Sequence, residues 1–245
     1  MINAQYWLDV NHPSNQRRNI TKLLICDVSQ QGDINLLNFD DFSINYLTFE
    51  NSLTGTLDLS SFTNLEELNI NNQLINKLVI SNCQNMKELY AENNLLREIE
   101  LPRNNTKLER VSLINNDFNA QNLSCFSSFN NLKYLYLGTD DRERINNNIY
   151  NRWNGSLIHL NELDDLEELD INATDIDSGL EYLPADKINY FTCGSIGRIN
   201  AGVNNIKQIC NFSEELAIGI SEDQNSLKLG KIDQIQQNIL TQTLI

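Results

Sequence analysis

One apolar pattern recurs along this chain at almost constant spacing. Units of the form apolar-x-x-apolar-x-apolar begin at Ile44, Leu65, Met86 and Leu108, so that successive starts are 21, 21 and 22 residues apart. The same pattern begins again at Leu132, Leu166 and Ile188, and an earlier match begins at Ile20. Repetition with a fixed period in this range is the signature of a solenoid, and it excludes most enzyme folds.

Within each unit the side chains alternate as on a half-buried strand. Leu68 and Ile70 point to one side, whereas Glu67, Asn69 and Asn71 point to the other. A return to the same pattern every 21 to 24 residues requires a crossover on the far side, which predicts a right-handed coil with parallel strands along one face. We expect these strands near residues 47, 68, 89, 111, 135, 169 and 191. Second apolar pairs mark the far side: Leu57 and Leu59, Leu78 and Ile80, Ile99 and Leu101.

The repeated unit resembles the leucine-rich-repeat family, whose consensus is L-x-x-L-x-L-x-x-N/C-x-L. The family asparagine, which caps backbone groups after the strand, is matched by Asn94 and Asn116. Other residues replace it elsewhere: Ser52, Gln73, Asp140, Thr174, Val28 and Ile196. The resemblance implies an α/β solenoid, a right-handed horseshoe with one parallel sheet on its concave face and a cap at each end.

Three phrases of the sequence are also similar to short-repeat proteins that form large families in mycorrhizal fungi. These phrases are GTLDLSSFTNLEELNI, DINATDIDSGLEYLP and IYNRWNGSL. The narrower resemblance implies no catalytic residue.

The spacing of the units predicts three segments. Residues 1–19 are expected to form an N-terminal cap, with a short helix that stops near Pro13 and brings Tyr6 and Trp7 over the open end of the first coil. Residues 20–196 are expected to form the solenoid of about eight repeats. Residues 197–245 remain as a partly helical cap or tail, in which Ile232, Ile235 and Ile239 share one face.

The one large break in the period predicts an insertion at about residues 139–156, between the units that begin at Leu132 and Leu166. Ile145, Ile149 and Trp153 recur at every fourth position, which predicts one face of a helix. Insertions in repeat proteins often belong to the binding region, so Trp153 is a candidate contact residue. The alternative is that this apolar stripe packs back onto the solenoid.

Charge and cysteine usage restrict the partners and the compartment. The formal net charge is -15, which disfavours binding to nucleic acid and to anionic membranes. The first residues have neither the basic nor the apolar region of a secretory signal, so a cytoplasmic location is expected. Five cysteines, at 26, 83, 125, 193 and 210, lack any C-x-x-C spacing. Reduced, mostly buried thiols are therefore expected, with no zinc and no disulfide.

No motif in the sequence indicates catalysis or a cofactor. His12 and His159 are the only histidines, and neither has a recognisable partner for activating a nucleophile. Neither of the glycine-rich phosphate-binding motifs occurs. The acidic run from Glu162 to Asp170 lacks the spacing and the glycine of a calcium loop, so a solvated edge is expected there. The chain is therefore expected not to be an enzyme and to need neither a metal nor a cofactor.

The outward strand positions carry an unusual share of the tyrosines. Five of the eight tyrosines (46, 90, 134, 136 and 190) fall on 24 such positions, where random placement would give fewer than one. Tyrosines on an exposed sheet supply binding energy at interfaces, although tyrosine also suits the surface of a strand. The candidate partner-binding residues are Tyr46, Glu67, Glu88, Tyr90, Glu92, Arg110, Tyr134, Tyr136, Trp153, Glu168, Asp170 and Tyr190.

These features predict a non-catalytic protein-interaction module. The partner is expected to be a protein or peptide, of basic character because acidic side chains accompany the tyrosines. Two alternatives stay open: a scaffold that self-associates through its C-terminal helix, and the regulatory part of a larger enzyme or signalling protein.

Overall fold

The computed structural model describes residues 1–25, 52–184, 186–209 and 226–227 of the chain. The predicted unit at Ile44, the candidate residue Tyr46 and the predicted helix over residues 231–245 lie outside these ranges.

The main sheet consists, in the described residues, of eight short strands side by side. Seven of them pair in parallel and follow the repeated pattern: β2 (Lys22–Leu24), β4 (Glu67–Asn69), β6 (Glu88–Tyr90), β8 (Arg110–Ser112), β9 (Tyr134–Tyr136), β11 (Glu168–Asp170) and β13 (Tyr190–Thr192). At one end β14 (Ser226–Leu227) pairs antiparallel with β13. Apart from the strand near 47, each strand predicted from the pattern is therefore confirmed.

The far side of each coil is formed by a second set of strands and by 3-10 turns. One parallel sheet contains β1 (Ile2–Asn3), β3 (Leu53–Asp58), β5 (Leu74–Val79) and β7 (Glu98–Glu100). A second contains β10 (Asn154–Ser156) and β12 (Asp175–Ser178), and 3-10 turns cover 123–126, 157–160 and 180–182. Successive units each place one strand in the main sheet, cross to the far side, and come back to the main sheet as the next parallel strand. The fold is therefore a leucine-rich-repeat solenoid, as the sequence predicts.

The core lies between the two sides and is filled by the inward residues of both. Leu68, Leu89, Val111, Leu135 and Leu169 come from the main sheet, and each has 0% of its surface exposed. Burial of one such side chain contributes roughly 1.5–3 kcal/mol. From the far side, Leu57, Leu59, Leu78 and Ile80 are equally buried, which confirms two of the three apolar pairs expected there. The third pair, Ile99 and Leu101, packs only partly against the core.

A row of buried amides joins neighbouring coils just after the strands. The side-chain nitrogen of Asn94 donates to the carbonyl oxygen of Ile70 at 2.8 Å, and its oxygen accepts from the backbone N–H of Ile75 at 3.1 Å. Asn116 makes the same bonds one coil further on, to Ala91 and from Leu96. Buried backbone groups need hydrogen-bond partners, and these amides supply them for N–H and C=O groups at the turn that follows each strand.

The amide row continues at Asn151 and not at Asp140, which was the residue expected from the spacing. The nitrogen of Asn151 donates to the carbonyl oxygens of Leu113 and Leu137, both at 2.8 Å. Asp140 is exposed. The expected position was wrong because residues 140–150 loop outward before the coil resumes.

The predicted helical stripe in this insertion is also wrong. Helix α2 spans only Arg142–Asn146, and Asn148 has a φ of 60°, so that the chain leaves the helical conformation before Ile149. Trp153 is fully buried, with its ring 4.8 Å from that of Phe118 and 5.4 Å from that of Phe126. It belongs to the far side of the next coil, where it pairs with Gln121.

The two ends of the array carry helices. Helix α1 (Ala4–Asn11) begins at Asn3, whose side chain accepts from the backbone N–H of Tyr6, and it buries Ala4 and Leu8. Trp7 packs partly against the core, whereas Tyr6 stays exposed. Helix α3 (Val203–Ile209) contacts β12 at the other end.

The order of the first strands differs from simple succession along the chain. Strand β2 pairs directly with β4, with Leu23 opposite Leu68. Residues 22–24 therefore lie directly beside β4 in the main sheet.

Candidate protein-binding face

Strand pairing arranges the outward residues of the main sheet in two rows. Neighbouring strands lie about 4.8 Å apart, so each row presents one side chain at that interval. The first row is Lys22, Glu67, Glu88, Arg110, Tyr134, Glu168 and Tyr190, and the second is Leu24, Asn69, Tyr90, Ser112, Tyr136, Asp170 and Thr192. The concave face thus brings together most of the candidate residues that the sequence scattered over more than 100 positions.

Arg110 lies at the centre of an aromatic and acidic cluster. Its guanidinium carbon is 3.9 Å from the centre of the Tyr134 ring and 5.5 Å from that of Tyr136. Its Nη1 donates to the Tyr136 hydroxyl at 3.1 Å, and that hydroxyl donates to Glu168 Oε2 at 2.5 Å. All four side chains are half-buried. Stacking and charge-assisted hydrogen bonds fix their positions before any partner arrives.

A second tyrosine–glutamate contact lies two strands away from Tyr136, in β6. The Tyr90 hydroxyl donates to Glu88 Oε2 at 2.7 Å. Burial raises the pKa of both Tyr90 and Tyr136, and the hydrogen bond to a carboxylate raises it further. Both phenols therefore stay protonated in neutral solution and act as donors to the neighbouring carboxylates.

The remaining acidic candidates lie towards the N-terminal end of the face. Glu67 forms an ion pair with Lys22 in the next strand. Glu92 accepts from the Ser112 hydroxyl at 2.7 Å. Both glutamates are only partly buried, so their charges act on the solvent side of the sheet.

Two candidates do not lie where a partner would meet them. Trp153 is in the core, so its predicted role as a contact residue is wrong, and the alternative of packing onto the solenoid holds for this side chain. Asp170 is 8% exposed, and its carboxylate accepts from the backbone and side-chain nitrogens of Asn172 at 2.8 and 3.2 Å. Burial raises the pKa of Asp170 to about 6. It is a buried part of the turn rather than the exposed charge that was expected.

Gly138 gives the reason for the burial of Asp170. A Cβ atom at position 138 would lie 2.1 Å from Asp170 Oδ1 and 2.8 Å from the backbone nitrogen of Asn172. The carboxylate fills the space that a side chain would otherwise take. Tyr190, the last candidate in the first row, remains half-buried on the face, and burial raises its pKa.

Two contacts were missed in the sequence. The Tyr134 hydroxyl donates to Glu167 Oε2 at 3.3 Å, although Glu167 precedes the strand and was expected to belong to a solvated edge. Two guanidinium groups contact the Tyr150 ring, with the guanidinium carbons of Arg198 and Arg152 at 3.8 Å and 4.3 Å from its centre. Arg198 is 48 positions from Tyr150, so no local pattern connects them.

The same ranges lack two other kinds of site. No group of three or more His, Cys, Asp or Glu side chains is placed to hold a metal ion within the described part of the chain. No helix there has the length and apolar character needed to cross a bilayer. Cys83 and Cys193 are buried and Cys125 is exposed, and none of the three is part of a disulfide.

Comparisons with known proteins give distant structural likenesses and no family. No protein-family model matches the chain, and no curated protein does. Among solved structures, an internalin (InlF) from Listeria monocytogenes is similar over 64% of this chain and 53% of its own, with 14% identity and a TM-score of 0.40. The leucine-rich repeat domain of LRIM1 is similar over 79% of this chain and 77% of its own, with 13% identity and a TM-score of 0.36. The chain spans about half the length of the internalin that it matches.

Proposed function

We propose that this protein is a non-catalytic interaction module that holds a protein or peptide partner on its concave face. The observation that carries the proposal is the cluster of Arg110, Tyr134, Tyr136 and Glu168, which is ordered by its own contacts and yet open to solvent. None of these side chains belongs to the hydrophobic core.

Prior ordering of this kind lowers the entropic cost of binding. Tyrosine and arginine dominate the energetic centres of protein interfaces, because they bury a large area while keeping polar groups for hydrogen bonds. Since the rings of Tyr134 and Tyr136 are already positioned by Arg110, a partner would lose little side-chain freedom on contact. The middle of the face is therefore the proposed centre of the interface.

The charge of the face supports a basic partner. Glu67, Glu88, Glu92 and Glu168 lie on or beside the two rows, against Lys22 and Arg110. The whole chain has a formal net charge of -15, which would steer a cationic partner towards it and repel phosphate backbones and anionic lipid headgroups. The partner is accordingly proposed to be a protein of the same compartment, which the sequence predicts to be the cytoplasm. By its short phrases the chain would belong with the fungal leucine-rich-repeat families.

The test compares partners captured by the wild-type protein with those captured by a Tyr90→Ala, Tyr136→Ala variant. The matched control is Tyr6→Ala, because Tyr6 is 68% exposed on helix α1, away from the face. For a partner that the double variant loses and the control keeps, calorimetry should show that Tyr136→Ala alone weakens binding by about 2 kcal/mol, or roughly 30-fold.

The melting midpoint of each variant shows whether its fold is retained. Outward positions add little to the core, so the midpoints of all three variants should lie close to that of the wild type. If the partner binds the double variant as tightly as it binds the wild type, the binding surface is not the concave face.

A further inference from the structure

Two tyrosine–glutamate pairs lie on either side of Arg110. In β6 the Tyr90 hydroxyl donates to Glu88, and between β9 and β11 the Tyr136 hydroxyl donates to Glu168. In both pairs the glutamate stands in the first row and the tyrosine in the second. The same combination, a carboxylate beside an aromatic ring, therefore occurs twice on one face.

Such a pair suits a cationic side chain. Neither Glu88 nor Glu168 forms an ion pair within the ranges that the structure describes. Arg110 itself shows how a guanidinium fits this surface, since it stacks on the Tyr134 ring and donates to a phenolic oxygen. A second guanidinium or an ammonium group on Tyr90 and Glu88 would gain both a carboxylate and an aromatic surface.

The distance between the two pairs follows from the strand order. Glu88 is opposite Arg110, Arg110 is opposite Tyr134, and Tyr134 is opposite Glu168. Three strand intervals of about 4.8 Å separate the glutamates by about 14 Å. An extended peptide advances about 3.4 Å per residue, so about four residues cover this distance.

Arg110 adds a condition on what lies between the two cations. Because its guanidinium stands in the same row between Glu88 and Glu168, a basic side chain above it would meet a like charge. An acidic side chain above Arg110 would instead meet a charge of opposite sign.

We propose that the concave face recognises an extended segment with two basic side chains about four residues apart and no basic side chain between them. This proposal rests on the proposed function and makes it specific. One cation occupies the site formed by Glu88 and Tyr90. The other binds Glu168 on the side of Tyr190, its neighbour in the first row, because Arg110 already occupies the other side at Tyr136.

The experiment uses fluorescently labelled synthetic peptides of one composition on a glycine–serine background. Each contains two arginines and one glutamate, and the arginines are two, four or six residues apart, with the glutamate between them or at an end. Anisotropy at low salt gives the affinity for the wild-type protein and for the variants Glu88→Gln and Glu168→Gln. Glu162→Gln is the matched control, because Glu162 is exposed beside the 3-10 turn at 157–160.

We expect the four-residue spacing with a central glutamate to bind about tenfold more tightly than the other peptides. Glu88→Gln and Glu168→Gln should each remove about that advantage, whereas Glu162→Gln should leave it unchanged. Glutamine keeps an oxygen to accept the tyrosine hydroxyl, so the face itself is retained.

Two results would overturn the proposal in distinguishable ways. Equal affinity for every spacing, with binding still weakened by both face variants, would remove the two-cation rule and leave the proposed function standing. Absence of binding by every peptide would also remove the rule. The proposed function would fail as well only if the captured partner were indifferent to Tyr136→Ala.

Discussion

The solenoid contains a regular half, residues 52–116, and an interrupted half, residues 117–196, and the two differ in how sequence position maps onto space. In the regular half the buried amide follows the last inward residue of the strand by three positions, as Asn116 follows Leu113. In the interrupted half Asn151 follows Leu137 by 14 positions, yet it binds the carbonyl oxygens of Leu113 and Leu137 as Asn116 binds those of Ala91 and Leu113. The repeat therefore preserves the position of the buried amide in space, although the number of residues between the strand and the amide differs.

The largest effect that tests this comparison is expected at Trp153. If the inserted segment ends by returning its tryptophan to the common core, Trp153→Ala should lower the free energy of unfolding by about 3–5 kcal/mol, as for a large aromatic lost from a core. Urea denaturation measures it. Trp153→Phe, which keeps a ring beside Phe118 and Phe126, should cost much less. A midpoint unchanged by the alanine would mean that Trp153 is not core and that the interrupted half is packed differently.

The amide row offers the sharper comparison between the halves. Asn116→Ala and Asn151→Ala should each lower the free energy of unfolding by about 2–3 kcal/mol, since each leaves buried carbonyl oxygens without a donor. Asp140→Ala is the control, because it changes the exposed residue that spacing alone would have chosen. It loses one hydrogen bond from Asn115 and should lower stability by about 1 kcal/mol or less. If Asp140→Ala lowered the free energy of unfolding as much as Asn151→Ala does, the two halves would not be equivalent.

The sequence could predict the regular half because its signals are local. Alternation over a few residues predicts each strand. The same pattern recurs at a constant period from Leu65, Met86 and Leu108, which supports each of these assignments. On the face, the same alternation was enough to find Tyr90, Arg110, Tyr134 and Tyr136 as outward residues. The hydrogen bonds between them depend on which strands are neighbours, which the period also implies.

The interrupted half was less predictable because its decisive contacts are distant in the chain. The spacing of Ile145, Ile149 and Trp153 indicated a helix, but Asn148 adopts a left-handed conformation that the pattern does not show. Burial of Asp170 depends on the missing side chain of Gly138, 32 positions earlier. Neither effect is visible in a window of neighbouring residues.

The smallest expected effect concerns Asp170, a buried carboxylate of the interrupted half. Its pKa of about 6 lies above the ordinary aspartate value of 3.8, so the folded state holds the Asp170 proton more tightly than the unfolded state does. The stabilising contribution is therefore complete below about pH 4 and is lost as the pH rises through about 6. Asp170→Asn, which keeps an acceptor for the backbone N–H of Asn172, should be more stable than the wild type at pH 7 by about 1–3 kcal/mol.

That advantage should shrink when the unfolding free energies are measured at about pH 5, where the wild-type carboxylate is largely protonated. Asp164→Asn, at an exposed position, should show no such change between the two conditions. A difference between Asp170→Asn and the wild type that is independent of pH would place the Asp170 carboxylate in contact with water.

The burial of Trp153 also makes its fluorescence emission a probe of unfolding that needs no added label. The chain has two tryptophans, and the other, Trp7, lies half-buried on helix α1 with its ring 5.6 Å from that of His12. An indole enclosed by phenylalanine emits at shorter wavelength than one at a wet surface, so the two contributions to the emission spectrum are separable. Because coils in a solenoid are coupled mainly to their neighbours, the blue component follows the melting of the interrupted half while the red component follows the first coil.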